Sequence, residues 1–197
     1  MAPDSEHDSP AWRNDGVAHD TEDRAYWYGL GCREEADFCA GLAIRAGLQV
    51  RVNPAKAQNP KVIDLIRTWP DGREGYADLK TQRTPFFTAR RYGHDPALTV
   101  TFNLKDLRHY ERLYPQADII YHVCWTQTEL TLRSGEVLRV PVVEGVWLTS
   151  VGQIRALIDA GRAPVHAYQH RVNDDQGNAR DSYLLALSDL QGILRLR

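Results

Sequence analysis

A Pro70-Asp71-Gly72 turn signal separates two runs of strand-forming residues, KVIDLIRTW (61–69) and GYADLKTQ (75–82), and the first run holds a carboxylate, Asp64, among apolar neighbours. Proline presets the backbone of the first turn position and glycine accepts a left-handed one, so the segment predicts a β-hairpin. Residues two apart in a strand share a face, which sets Asp78, Lys80 and Gln82 in one row and turns Leu79 and Thr81 away. The turn folds Asp64 back beside Asp78. An isolated carboxylate in an apolar strand is costly to desolvate, so Asp64 must be paired or bound to a cation.

Further elements follow from periodicity. Over residues 31–46, Cys39, Leu42, Ala43 and Ala46 recur at helical spacing and Gly47 stands where a C-terminal cap belongs, which predicts a helix. Residues 48–52 then read as a short strand, and 99–102 as another. Leu104 to Leu113 has helical spacing and stops before Pro115; ADIIYHVCW (117–125) reads as a buried strand. A hairpin is expected around Ser134-Gly135, a helix over 151–161 ending at Gly161, and a second hairpin from VHAYQHRV and SYLLAL. This order predicts a mixed α/β or α+β fold: a central mixed β-sheet flanked by helices, with a C-terminal β-hairpin extension.

The 197 residues suit one domain, and nothing after Tyr26 marks a second. Residues 1–25 hold seven acidic side chains against Arg13 and Arg24 and almost no apolar ones, the composition of a flexible tail. Residues 26–197 form the expected folding unit, with a core over about 31–125 and an elaboration over 126–197. From a whole-chain count of 24 basic and 26 acidic residues, the part beyond the tail keeps 22 and 19, a mild +3 compatible with a nucleic-acid partner. No stretch reaches the roughly 18 to 20 apolar residues that span a bilayer. The start MAPDSEHDSP has no basic segment, apolar run or cleavage site of a secretory signal, so a cytoplasmic location is expected. Cys32, Cys39 and Cys124 lack a CxxC pair and read as buried thiols.

Phosphodiester hydrolysis needs carboxylates for a hard divalent cation, a group that orients or deprotonates water, and positive charge near the developing phosphorane. The hairpin offers all three. In Asp64 of NPKVIDLI, Asp78-Leu79-Lys80 and Gln82, the sequence resembles the PD-(D/E)xK nuclease superfamily, which includes restriction endonucleases and Holliday junction resolvases. Ile63 stands where that family often has proline. The resemblance spans about residues 31–125 and implies a restriction-endonuclease-like core and a Mg²⁺- or Mn²⁺-dependent DNA endonuclease, possible as a homodimer through ADIIYHVCW or the C-terminal hairpin. It also implies a glutamate on the preceding helix. Of Glu34 and Glu35, the latter shares a face with Cys39, Leu42 and Ala46 and is preferred, whereas Glu34 is expected in solvent.

The roles the resemblance implies are these. Asp64, Asp78 and the Leu79 carbonyl hold the metal ion, and Glu35 binds a second ion or its waters. Lys80 orients the attacking water, and Gln82 positions that lysine or the water. Arg83, Arg90, Arg91 and Lys61 are the candidate phosphate contacts. Lys56 flanks the first catalytic strand together with Lys61, and as lysines expected at the surface both are weaker candidates than the arginines. Phe86, Phe87 and Tyr92 suit core packing better than base stacking. His166 and His170 lie about 13 Å apart on a strand, too far for one zinc ion. The alternative function is a nuclease-fold module that binds nucleic acid or protein without cutting.

Overall fold

The computed structural model describes residues 24–132, 134–167 and 181–197. Residues 1–23 of the expected acidic tail, together with His170, lie outside the described residues. Helix α1 (Arg24–Asp37) runs through a π turn (Phe38–Leu42) into α2 (Ala43–Arg45), and Gly47 follows at φ +69°. The helix therefore begins before residue 31. The extra residue in the π turn shifts the inward stripe, so that Phe38 and Ala43 are the buried apolar positions while Cys39 and Leu42 are only half-buried.

After β1 (Gln49–Val52), a 3₁₀ turn (Pro54–Ala57) leads to β2 (Leu65–Thr68), and the predicted hairpin closes onto β3 (Glu74–Gln82). Gly72 adopts φ +81°, and its N–H donates to the Trp69 carbonyl at 2.8 Å. Gly75 permits the close passage of Trp69, whose ring would lie 2.4 Å from any Cβ there. β2 is shorter than expected: pairing starts at Leu65, so Asp64 precedes the strand instead of lying within it.

The chain continues through β4 (Thr99–Asn103), α3 (Leu104–Leu113) and β5 (Asp118–Cys124). It then forms a small hairpin of β6 (Glu129–Thr131) and β7 (Val137–Arg139), followed by β8 (Glu144–Ser150) and α4 (Val151–Asp159). β9 (Val165–His166), β10 (Ser182–Ala186) and β11 (Gln191–Arg195) complete it. The central sheet has the order β1-β2-β3-β5-β8-β11, with β3 and β5 parallel and the other neighbours antiparallel. The expected mixed α/β architecture, a central mixed sheet flanked by helices, is thus what the chain adopts. β9 and β10 form the expected C-terminal antiparallel pair, which joins β4 in a second sheet. Two strands of the central sheet, β8 and the edge strand β11, come from beyond Trp125.

The sheet's two faces bury different clusters. Ala77 and Leu79 of β3 and Ile120 of β5 pack toward Phe38 and Ala43 of the first helical segment. The other face carries Ile119, Tyr121 and Val123 against Leu107 and Tyr110 of α3 and Ile154 and Leu157 of α4. No helix among the described residues is long and apolar enough to cross a membrane.

Candidate active site

β3 has nine residues and β2 only four, so β2 pairs with β3 over residues 74–77 and leaves 78–82 without a strand on that side. The polar row falls in this unpaired stretch. On the α3 face, Asp106 pairs with Lys80 at 2.9 Å, the Tyr110 hydroxyl donates to Asp78 Oδ1 at 2.5 Å, and the Tyr114 ring meets Tyr76 edge-on at 5.0 Å. Four helical residues advance about 6 Å and two strand residues about 6.6 Å, so an antiparallel helix lays 106, 110 and 114 onto 80, 78 and 76. Neither Asp106 nor Tyr110 is identifiable from the motif. Their signal is the i, i+4 spacing, interpretable only once α3 is known to lie along β3.

Asp78 is 1% exposed; Lys80 Nζ lies 3.0 Å from its Oδ2, which accepts no hydrogen bond. Asp64, one step before the Leu65–Ala77 pair, places its carboxyl beside that of Asp78. Burial raises the Asp78 pKa; Lys80 opposes the rise and the Asp64 carboxyl adds to it. Burial works against the Lys80 ammonium, but Asp78 and the other anionic neighbours outweigh it and hold its pKa well above the ordinary lysine value.

Glu35 is buried, on the inward side of its helix as expected. Glu34 is half-buried and pairs with Arg83 at 2.7 Å. Glu35 meets a residue that sequence reasoning placed at the surface: the Lys56 ammonium lies 2.6 Å from both Glu35 oxygens and 2.6 Å from Asp64 Oδ1. Lys56 is 8% exposed, so its expected exposure is corrected. The physical reason is the turn that carries it. Asn53 caps Pro54–Ala57 through Ala55 N–H and also donates Nδ2 to the Ile63 carbonyl at 3.0 Å, aiming Lys56 inward. Burial again disfavours the ammonium, but its hydrogen bonds to Asp64 and Glu35 raise its pKa overall. Glu35 itself is raised by burial, with Lys56 acting against the rise.

Gln82 shares the row but faces β4. Its Nε2 donates to the Thr101 carbonyl at 2.7 Å and its Oε1 accepts from Thr101 N–H at 3.2 Å, tying the two sheets together. Of the basic candidates, Arg83 borders the site, whereas Arg90, Arg91 and Lys61 are exposed. Phe87 is buried; Phe86 and Tyr92 pack around His166, which accepts or donates a 2.7 Å bond with the Tyr92 hydroxyl. An open cavity of about 250 Å³ reaches Lys80 and Gln82 between Glu34, Glu35 and Leu79. Among the described residues, no group of three acidic, histidine or cysteine side chains is arranged to hold a metal ion.

No protein-family model and no curated protein matches the chain. Among solved structures it is similar to D212, described as a nuclease from a fusselovirus, with 11% identity over 88% of this chain and 90% of that one and a TM-score of 0.42.

Proposed function

We propose that the protein is a divalent-cation-dependent nuclease that hydrolyses phosphodiester bonds in DNA by a PD-(D/E)xK-type mechanism. The observation that carries this reading is the convergence of the Asp64 and Asp78 carboxyls with the Lys80 ammonium beside an open cavity. The residues fit a hard cation: Asp78 Oδ2 is buried and accepts no hydrogen bond, and a second carboxyl adjoins it. Asp64, Asp78 and the Leu79 carbonyl would hold Mg²⁺ or Mn²⁺, which supplies Lewis-acid polarisation of the phosphate and a more acidic water.

The chain's own groups account for the rest. Lys80 lines the cavity and carries a fixed positive charge, suited to orienting the water and to the charge that grows on the phosphoryl oxygens. Asp106 and Tyr110 hold the Lys80 and Asp78 side chains in place. Gln82 acts at one remove, by fixing the end of β3 through Thr101. Arg83, Arg90, Arg91 and Lys61 supply phosphate contacts.

One observation favours the alternative of a nuclease-fold module that binds without cutting: Glu35 is engaged by Lys56 instead of being open to an ion. Supercoiled plasmid incubated with and without Mn²⁺ separates the two. Metal-dependent nicking that disappears in Asp64→Ala and Lys80→Ala is the expected result. Nicking by either variant at the wild-type rate refutes the assignment, and plasmid retardation without nicking supports the binding module.

A further inference from the structure

We infer that Lys56 is a resident cation of the carboxylate centre, occupying the place between Glu35 and Asp64 that a second divalent ion would take, so that the centre admits a single such ion at Asp64 and Asp78. The inference rests on the proposed nuclease chemistry for what the single ion does, but its observations are separate. An ammonium has three donors, and Lys56 presents them to three acceptors: Glu35 Oε1, Glu35 Oε2 and Asp64 Oδ1, each at 2.6 Å. Both Glu35 oxygens are thereby engaged, which leaves for a metal ion the other Asp64 oxygen and Asp78 Oδ2, the latter in ionic contact with Lys80 at 3.0 Å but without a hydrogen bond.

Lysine is almost never fully buried unless paired, and this one is sealed while Pro54, Ala55, Ala57 and Gln58 around it are exposed. The start of the turn is fixed to the segment that carries Asp64, since Asn53 Nδ2 donates to the Ile63 carbonyl at 3.0 Å and Asn53 N–H to the Asp64 carbonyl at 2.8 Å. Lys56 therefore approaches Asp64 from a turn anchored three residues earlier, and its buried ammonium is held by the two carboxylates themselves. Charge agrees. Among the described residues, the cations paired with the carboxylates of Glu35, Asp64, Asp78 and Asp106 are the ammonium ions of Lys56 and Lys80, and the excess matches one divalent ion.

Mn²⁺ binding to the full chain, measured by calorimetry for the wild type and Lys56→Met, tests this. One ion per wild-type chain and two per Lys56→Met chain are expected. Equal numbers for the two proteins, or two ions on the wild type, overturn the inference. A wild type that binds none while Lys56→Met binds one keeps Lys56 as the resident cation and instead removes the divalent ion from the proposed function. A second measurement needs no variant: reductive methylation of the wild type, read by mass spectrometry, should leave Lys56 protected with and without saturating Mn²⁺. Should Mn²⁺ make Lys56 react as fast as the exposed Lys61, the ion displaces the ammonium and the inference fails.

Discussion

Lys80 and Lys56 are each held between two carboxylates, yet the two centres are built from different materials. Lys80 stands on a regular strand and meets Asp78 of the same strand and Asp106 of a regular helix, with 23% of its side chain exposed. Lys56 stands on a four-residue 3₁₀ turn and meets Glu35 of α1 and Asp64 ahead of β2, with 8% exposed. The first borders the cavity and the second does not. The contrast separates an ammonium available to a ligand from one sealed against its partners, and it predicts that the two lysines divide activity and stability unequally.

The largest expected effects test that division. Removing one member of a buried ion pair costs about 3 to 5 kcal/mol when the remaining charge cannot reach water. Lys56→Met strands Glu35 and Asp64, whose side chains are 10% and 22% exposed, and should lose about 3 kcal/mol. Lys80→Met should lose less, about 2 kcal/mol, because Asp106 remains 30% exposed and Asp78, its pKa already raised by burial, can take up a proton. Under the proposed function, by contrast, plasmid nicking by Lys80→Met should fall at least about 100-fold, the scale of losing one charge-stabilising donor. Urea unfolding of both variants checks the order, and a greater loss of stability in Lys80→Met would break the comparison.

A second test concerns the α1 side of the sheet, where His122 of β5 lies with its ring 6.1 Å from that of Phe38. Burial, and then the charge of Arg83, push its pKa below the ordinary histidine value. A depressed histidine favours folding above its unfolded pKa of about 6.5, and that stability is lost as the pH falls through the lower folded value. Wild-type stability should therefore decline as the pH drops below about 6.5, and His122→Gln should decline less over the same range. Parallel slopes for the two proteins would remove His122 from this role.

Much of this arrangement was legible in the sequence, for reasons that also explain the rest. The DLKTQ row follows from the period of a strand, and the hairpin from Pro-Asp-Gly. The limits of α3, Leu104–Leu113, follow from helical spacing and Pro115. Three features were not accessible. β8 is buried at five consecutive positions, so its sequence lacks the alternation that marks a half-exposed strand. The π turn moves burial from Cys39 to Phe38 by inserting one residue into a helical repeat. Lys56 looks like any surface lysine, because its burial depends on Asn53 reaching a carbonyl ten residues away. Local periodicity reports which face a residue takes, whereas a turn pinned by tertiary bonds carries no period.

The smallest expected effect concerns Arg83, whose partner Glu34 lines the cavity. Its side chain is 36% exposed and that of its partner Glu34 23%, so the pair is worth about 1 kcal/mol at most and Arg83→Ala should lose less stability than either lysine variant. The weakness of this pair matters for function. A guanidinium held by one part-exposed carboxylate beside the cavity can exchange it for a phosphate, which Lys56, sealed between two carboxylates, cannot do. Under the proposed function, Arg83→Ala should weaken duplex binding, measured in Ca²⁺ to prevent cutting, and lower the slope of log affinity against log salt by about 1. An unchanged slope would assign Arg83 to Glu34 alone and leave Arg90, Arg91 and Lys61 to meet the phosphates.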